Sequence, residues 1–321
     1  MKAIRISETG DLDFLKYEDI PKPSPGNGEV CVRIHFAGVN FIDTYIRSGY
    51  YKRQLPLTLG MEASGVVEAV GPEVQGLAAG DRVAYAGHPG SYAQYSVLKA
   101  EYLIPLPADI NFEQGAAFPL QGMTAHYLTH DLHHVMPGEV VLVHAAAGGV
   151  GLILVQWLKH LGARVIGTVS TSEKAQAAHE AGADGIINYT AEDFVQRIMQ
   201  LTNGRGADYI IDGVGRATFA GDLEAVRVRG HVCLFGSSSG ACDPVAVNSL
   251  MPRSVTVSGA TLWNFIATRE DLIKRAEAVI GGIREGWLKV HIDSIFDLKD
   301  AASAHRVLQA RKTIGKVLLR P

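Results

Sequence analysis

Over the first third of the chain, apolar and polar residues alternate in short runs. In "EVCVRIHFAGVN" the residues Val30, Val32 and Ile34 alternate with polar or smaller neighbours, the period of two that marks a half-buried strand. "SGVVEAV" and "DRVAYAG" read the same way, and Pro21, Pro23, Pro25, Gly26, Gly71 and Pro72 punctuate the runs as turns. This pattern predicts a compact, mostly β domain with long loops.

From about Ala116 the rhythm changes. "TAHYLTHDL" is helical in spacing, and after Pro137-Gly138 strands and helices alternate. "VVLVHA" leads into "GVGLILVQWLKHLG", "ARVIGTVS" into "SEKAQAAHEAG", "DGIINY" into "AEDFVQRIMQLT", and "ADYIIDGVG" into "TFAGDLEAVRV". "GHVCLFG" and "SVTVSGA" follow as strands. Strands that are apolar throughout, joined by helices of about ten residues, predict βαβ units around a parallel sheet buried on both faces. After Ala260 come an amphipathic helix near Arg269–Arg284, the strand "LKVHIDSIF", a helix in "LKDAASAHRVLQAR" and a closing strand "GKVLL". This tail does not repeat the βα unit, and it is expected to return to the first domain.

Composition narrows the function classes. The 321 residues are enough for two domains, and 47% hydrophobic with 20% charged residues is an ordinary globular balance. A net charge of −3 gives no bulk footprint for nucleic acid or an anionic membrane. No apolar run reaches the roughly 18 residues of a spanning helix, and "MKAIRISETGD" lacks the apolar core of a signal peptide. Cys31, Cys233 and Cys242 are too scattered for a disulfide framework, which points to a reduced, cytoplasmic protein.

The stretch "VVLVHAAAGGVG" lies between a predicted buried strand and a helix. Ala146, Gly148 and Gly151 fall on the three positions of the dinucleotide fingerprint, with alanine in the first. A helix starting near Val150 points its free N–H groups at a pyrophosphate. After the next strand an NAD site usually carries an acidic residue, whereas here "TVSTSEK" offers Ser170 and Lys174. A hydroxyl and an ammonium suit a 2′-phosphate and favour NADPH, while Glu173 speaks for NAD.

"VNFIDTYIRSGYY", "HAAAGGVGL", "KAQAAHEAGADGIINY" and "FGSSSG" resemble, in order and spacing over essentially the full chain, the zeta-crystallin-like NADPH:quinone oxidoreductases of the medium-chain dehydrogenase/reductase superfamily. The resemblance implies an α/β fold. A GroES-like β domain would take residues 1–122 and 261–321, and a Rossmann domain with a doubly wound parallel sheet residues 123–260, with the cofactor in the cleft between them. It implies that Asn40, Phe41, Asp43 and Tyr45 lie at the nicotinamide end and that Tyr51 shares the substrate wall. Thr124 and Tyr127 would line the cleft. Gly148, Gly149 and Val150 would meet the pyrophosphate, Ser170 and Lys174 the 2′-phosphate, and Tyr189 the adenosine ribose. Phe235, Gly236 and Ser238 would flank the nicotinamide, and Arg311 would reach back towards the cofactor. Read without the resemblance, Tyr45 and Tyr51 are equally ordinary interface aromatics, and Phe235-Gly236 a strand end. A homodimer is also implied, and "DPVAVNSLMPRSVTVSG" offers an edge strand for it.

Zinc alcohol dehydrogenases resemble this fold too, yet "LGMEASG" has Met61 before Glu62 where their Gly-His-Glu stretch would fall, and "NFIDTY" has no cysteine. The three cysteines do not supply the three or four ligands of a tetrahedral zinc, so no metal is expected. His126, His130, His133 and His134 cluster on one helix, with His126 and His130 one turn apart; such histidines are more often solvated or capping than ligands. Without a Lewis acid the expected reaction is hydride donation from NADPH to an electrophilic quinone. Tyr45 and Tyr51 would donate hydrogen bonds to the developing oxyanion, and Asn40 and Asp43 would position water or the ring. An NADPH-dependent 2-alkenal or enone reductase is the nearest alternative. An RNA-binding protein is the alternative from another class, and no basic, aromatic strip supports it.

Overall fold

The computed structural model describes all 321 residues, Met1–Pro321. The first elements are β1 (Lys2–Ile6), β2 (Lys16–Asp19), β3 (Glu29–Val39), α1 (Phe41–Ser48), β4 (Leu57–Thr58), β5 (Glu62–Val70), β6 (Arg82–Ala86), β7 (Tyr95–Lys99), β8 (Ile104–Pro105) and α2 (Phe112–Ala117). Next come α3 (Pro119–His130), β9 (Val140–Val143), α4 (Gly149–His160), β10 (Arg164–Val169), α5 (Ser172–Glu180), β11 (Gly185–Asn188) and α6 (Phe194–Leu201). β12 (Ala207–Asp212), α7 (Phe219–Ala225), β13 (Val226–Leu234), β14 (Thr256–Gly259) and α8 (Leu262–Phe265) follow. The chain continues with α9 (Arg269–Glu285), β15 (Ile292–Asp297), α10 (Ala301–Gln309) and β16 (Lys316–Arg320). No helix is long and apolar enough to cross a membrane.

One compact unit comprises Met1–Gln121, Ile266–Glu277 and Val290–Pro321. It holds a three-stranded sheet, β2-β1-β4, and a seven-stranded sheet in which β15-β16-β3-β5-β6-β8 run in order and β7 also pairs with β3. The spacing of Val30, Val32 and Ile34 suggests a strand with one dry face, but β3 is buried more fully than that. Cys31 is only 1% exposed, and of the stretch Val30–Ile34 only Arg33 faces out. β3 is paired along one edge by β7 and then β16 and along the other by β5, so it is a central strand of the sheet. β16 returns antiparallel to β3, Val317 facing Val39, and so brings the tail into the centre of this sheet.

The other unit, Gly122–Phe265 with Ala278–Lys289, is built on a parallel sheet of order β11-β10-β9-β12-β13-β14. The chain starts in the middle at β9, winds outward to β11, then crosses back to β12. Ligands of such sheets bind beyond the strand C-termini at this reversal, here between β9 and β12. Fully buried Val141, Leu142, Val143, Ile210 and Ile211 form the two central strands, as their apolar runs predict. One boundary differs from the sequence pattern. "TFAGDLEAVRV" reads as a single helix, yet α7 stops at Ala225 and Val226 already pairs with Ala207 of β12. The β-branched alternation of Val226 and Val228 takes the strand, and Arg227 turns to the buried Asp208 at 2.5 Å.

Candidate active site

In the parallel-sheet unit the loop after β9 is shaped by small residues. Ala145 has a left-handed backbone, φ 52°, and its carbonyl accepts from the Gly148 N–H at 2.8 Å. α4 begins one residue before the position the sequence suggests, at Gly149, with Gly148 as its cap. That cap has no side chain to satisfy the first-turn N–H groups, which leaves them for an anion. A Cβ on Gly151 would overlap the Ala145 carbonyl and the Ala146 backbone, so the helix can sit this close only with glycine there. Alanine in the first fingerprint position is accommodated across the sheet. The Ala146 methyl occupies the space where a Cβ on Gly167 of β10 would be, 2.6 Å away.

Ser170 follows β10 directly. The next residue, Thr171, which the sequence reading passed over, caps α5 by accepting from the Lys174 N–H at 3.2 Å. The cap turns the first turn of α5 so that Ser170 and Lys174 are half-buried while Glu173 is exposed. Tyr189, 44% exposed, lies after β11, the strand paired with β10. Phe235, Gly236 and Ser238 follow β13, and the Ser238 N–H donates to the Gly213 carbonyl at 3.2 Å. Thr124 and Tyr127 are both buried on α3, and the Tyr127 ring lies flat on Phe265, centroids 4.2 Å apart.

A polar network beneath these loops was not foreseen. His144, the residue before the glycine loop, is buried between the Asp222 carboxylate at 2.7 Å and the Thr168 hydroxyl at 3.0 Å. Burial is the largest single influence and works to lower the His144 pKa, but the Asp222 charge and hydrogen bond and the Asp212 charge together outweigh it and the net shift is upward. Asp222 is itself pushed up to about 6, chiefly by burial and against the pull of His144. Asp212, at the end of β12, accepts from the N–H groups of Val214 and Gly215 and from the Thr218 hydroxyl. His144 thus ties the ends of β9 and β10 to α7, while Asp212 fixes the turn that follows β12. A histidine at the mouth of an apolar strand was the one signal in the sequence.

Of the four histidines expected on one helix, only His126 and His130 lie on α3, where they stack; His133 and His134 fall beyond its end. The rings of His126 and His130 lie parallel at 4.5 Å, both edge-on to Trp157, and His133 bonds Glu139 at 3.0 Å.

In the first unit, Asn40, Asp43, Phe41, Tyr45 and Tyr51 gather around α1. Gly49, φ 83°, closes the helix and lets the chain fold back so that the Tyr51 N–H donates to the Tyr45 carbonyl. The Tyr45 ring has Phe41 at 6.2 Å and meets Tyr51 edge-on at 5.5 Å, and Tyr50 joins them at 5.5 Å. These separations suit edge and tilted aromatic packing, and Tyr50 and Tyr51 stay nearly half exposed.

Asn40 precedes the helix, but its side chain is diverted inward. Its Oδ1 accepts from the Lys316 ammonium at 2.7 Å, and its Nδ2 donates to Glu62 at 2.9 Å. Lys316 and Glu62 form an ion pair at 2.5 Å with both side chains 0% exposed. Glu62 also accepts from the Leu120 N–H, and Gly38 leaves it room, since a Cβ there would strike the carboxylate. Asp43 reaches back to accept from the Asn40 N–H at 2.8 Å and from the Tyr92 hydroxyl at 2.9 Å. The sequence named Asn40 and Asp43. It gave no hint of Lys316 beyond one cation in an apolar closing strand. Arg311 stands exposed just past α10, its backbone left-handed at φ 55°.

Comparison with known proteins gives this arrangement a family. The GroES-like domain family of alcohol dehydrogenases matches residues 26–108, and the family described as zinc-binding dehydrogenase matches residues 149–278. Quinone oxidoreductase 1 of Escherichia coli is 42% identical over 99% of both chains. The chain belongs to the quinone oxidoreductase family of medium-chain dehydrogenases/reductases. A 2-haloacrylate reductase of Burkholderia is similar to this quinone oxidoreductase family member at 39% identity, covering 99% of this chain and 98% of its own. The Escherichia coli quinone oxidoreductase solved with NADPH aligns at a TM-score of 0.98 and 41% identity over the whole of both chains.

The zinc in the name of the matching dehydrogenase family does not fit these residues. Around Glu62 the remaining donors are one amide and a thioether-bearing neighbour, Met61. The carboxylate is already neutralised by an ammonium that would repel a second cation. No three His, Cys, Asp or Glu residues elsewhere converge on one point.

Proposed function

We propose that the protein is an NADPH-dependent quinone oxidoreductase. The observation that carries this reading is the full-length alignment with a quinone oxidoreductase solved with NADPH. The chain's own geometry supports it. Gly148, Gly149 and Val150 present a helix start with no side-chain cap after a loop of alanine and glycine, which fits a pyrophosphate. Ser170 after β10 and Lys174 on the first turn of α5 offer a hydroxyl and a cation suited to a 2′-phosphate, and Tyr189, after the neighbouring strand β11, suits the adenosine ribose. When bound, NADPH supplies the hydride. Phe235, Gly236 and Ser238, with Thr124, Tyr127 and Arg311, are proposed to hold the nicotinamide half.

Tyr45 and Tyr51, with Phe41, offer aromatic edges to a flat ring, and their hydroxyls can donate to an oxygen that gains charge. Asn40 and Asp43 order the helix start beneath them. The internal Lys316 cation is fully engaged by Glu62 and Asn40, so the substrate must bring its own electrophilicity, as a conjugated quinone does. The 2-haloacrylate reductase relative favours a second reading, reduction of an activated alkene, at the same site. NADPH oxidation by the purified protein over a panel of quinones, enones and aldehydes, with and without chelator, decides between them. Turnover with haloacrylates or enones but not with quinones would select the second.

β14 has a neighbour on one side only, and the Val247 and Met251 side chains before it are 75% and 69% exposed. This edge supports a homodimer, which sedimentation velocity reads directly. The three cysteines are free thiols, which fits a reducing cytoplasm.

A further inference from the structure

Within the glycine loop, Ala145 alone has a left-handed backbone, φ 52°. Residues with a Cβ seldom adopt this conformation, and glycine is the usual choice where a turn demands it. In a dinucleotide fingerprint the first glycine makes the tight turn. Here alanine stands at that position, 146, and also at the left-handed position before it. Ala145 is exposed, so no packing around its methyl holds the backbone in place.

What holds it is polar. The Ala145 N–H donates to Thr168 Oγ1 at 3.3 Å and has no other partner. Thr168 lies on β10, 1% exposed, and its backbone carbonyl accepts the next N–H, that of Ala146, at 3.0 Å. The Ala145 carbonyl, turned by its φ, accepts from the Gly148 N–H and lies where a Cβ on Gly151 would fall. The start of α4, with its free N–H groups, therefore rests on the conformation of one alanine.

The Thr168 hydroxyl is itself locked from the far side. His144 Nδ1 is 3.0 Å from Oγ1, and Nε2 is 2.7 Å from Oδ1 of the fully buried Asp222. Phe194 of α6 meets the imidazole edge-on, centroids 5.0 Å apart. A hydroxyl has one proton and two lone pairs. A neutral ring, its proton on Nε2 towards Asp222, takes the hydroxyl proton on Nδ1, and an imidazolium donates to Oγ1 instead. In both cases Oγ1 keeps a lone pair for the Ala145 N–H, so the arrangement works whatever the charge on His144.

We infer that Thr168 is a positioning residue that keeps Ala145 left-handed, with His144 and Asp222 locking its hydroxyl, and that this relay of side chains does for the pyrophosphate loop what the first glycine of the fingerprint does elsewhere. The inference rests on the NADPH site proposed above and adds the residues that set its loop. Without the relay Ala145 relaxes to an ordinary conformation, its carbonyl swings, and the first turn of α4 no longer faces the phosphates.

The test is a fluorescence titration of the full-length protein with NADPH, paired with thermal unfolding of each variant. Thr168→Val keeps the shape, removes Oγ1 and should weaken NADPH about tenfold, the scale of one released backbone strain. Thr168→Ser keeps the hydroxyl and should keep the affinity. Ala145→Gly added to Thr168→Val should restore most of the loss, because glycine is left-handed without help. The paired change His144→Phe with Asp222→Leu removes the lock without stranding a buried charge, and should show the same loss and the same repair. A merely structural defect would lower the melting temperature and would not be repaired by a glycine at an exposed position. Wild-type affinity in folded Thr168→Val or in the folded paired variant, or a loss that Ala145→Gly leaves unrepaired, overturns the inference. If the buried variants do not fold, the exposed position decides. Ala145→Asn, whose side chain tolerates the left-handed region, should bind NADPH, and the similar-sized, β-branched Ala145→Val should bind about tenfold more weakly; equal affinities overturn the inference. If the wild type binds no NADPH, the functional reading fails by itself, and ¹³C shifts of labelled alanine read the loop directly. A left-handed Ala145 that relaxes in Thr168→Val sustains the inference, and one that stays left-handed, or is not so in the wild type, overturns it.

Discussion

Lys174 and Lys316 carry the same charge and do opposite work. Lys174 is half-buried on the first turn of α5, where its ammonium is proposed to read a 2′-phosphate. Lys174→Ala should therefore weaken NADPH by about 1.5–3 kcal/mol, the worth of a bond to a charged group, and leave NADH nearly unchanged in a fluorescence titration. Equal losses would show that it does not read the phosphate. Lys316 is sealed against Glu62 and Asn40 and meets no solvent. Lys316→Met strands a buried carboxylate and should cost about 3–5 kcal/mol in chemical denaturation. Adding Glu62→Gln should recover much of that, because the penalty lies in the unpaired charge.

At the scale of elements, the glycine loop works only as a partnership of α4, β9 and β10. Gly151→Ala would drive a methyl into the Ala145 carbonyl and push α4 away from the loop, so it should abolish detectable NADPH binding while the far-UV spectrum persists. Gly167→Ala would clash with the Ala146 methyl, and the added change Ala146→Gly should relieve it. The βα succession was legible because buried parallel strands must be apolar throughout and the helices between them cannot be. The α7–β13 boundary was not, because Val226 and Val228 serve either period and only pairing with β12 decides. Ser170 and Lys174 were visible as chemistry next to a strand end. His144–Asp222 and Glu62–Lys316 were invisible because each joins residues far apart in sequence, 78 and 254 positions, that only the sheets bring together.

For the whole molecule, buried neutral histidines set the response to acid. His305 and His231 have pKa values lowered by burial to about 3 and about 4, with the Arg47 charge and His133 respectively adding to the effect. Below about 6.5 the unfolded chain takes protons that the folded chain refuses, so this share of stability is lost as pH falls from 6.5 towards those values. His305→Gln removes its share, about 2 kcal/mol at pH 5. The melting temperature of the wild type should thus fall relative to the variant between pH 7 and pH 5; a constant difference would contradict the assignment. Dialysis against EDTA should leave quinone-dependent NADPH oxidation unchanged, and added zinc should not raise it, since Lys316 already fills the cation's place. That same pairing has a consequence for how the protein is made. Glu62 leaves the ribosome 254 residues before its only buried counter-charge. At ordinary synthesis rates this is a wait of roughly 13–50 seconds. The central sheet of the first unit cannot close during that time, because β16 supplies both the missing strand and the missing charge. A nascent chain released early therefore carries an open sheet around an unpaired acid, which marks it for chaperones or proteolysis before it can bind anything.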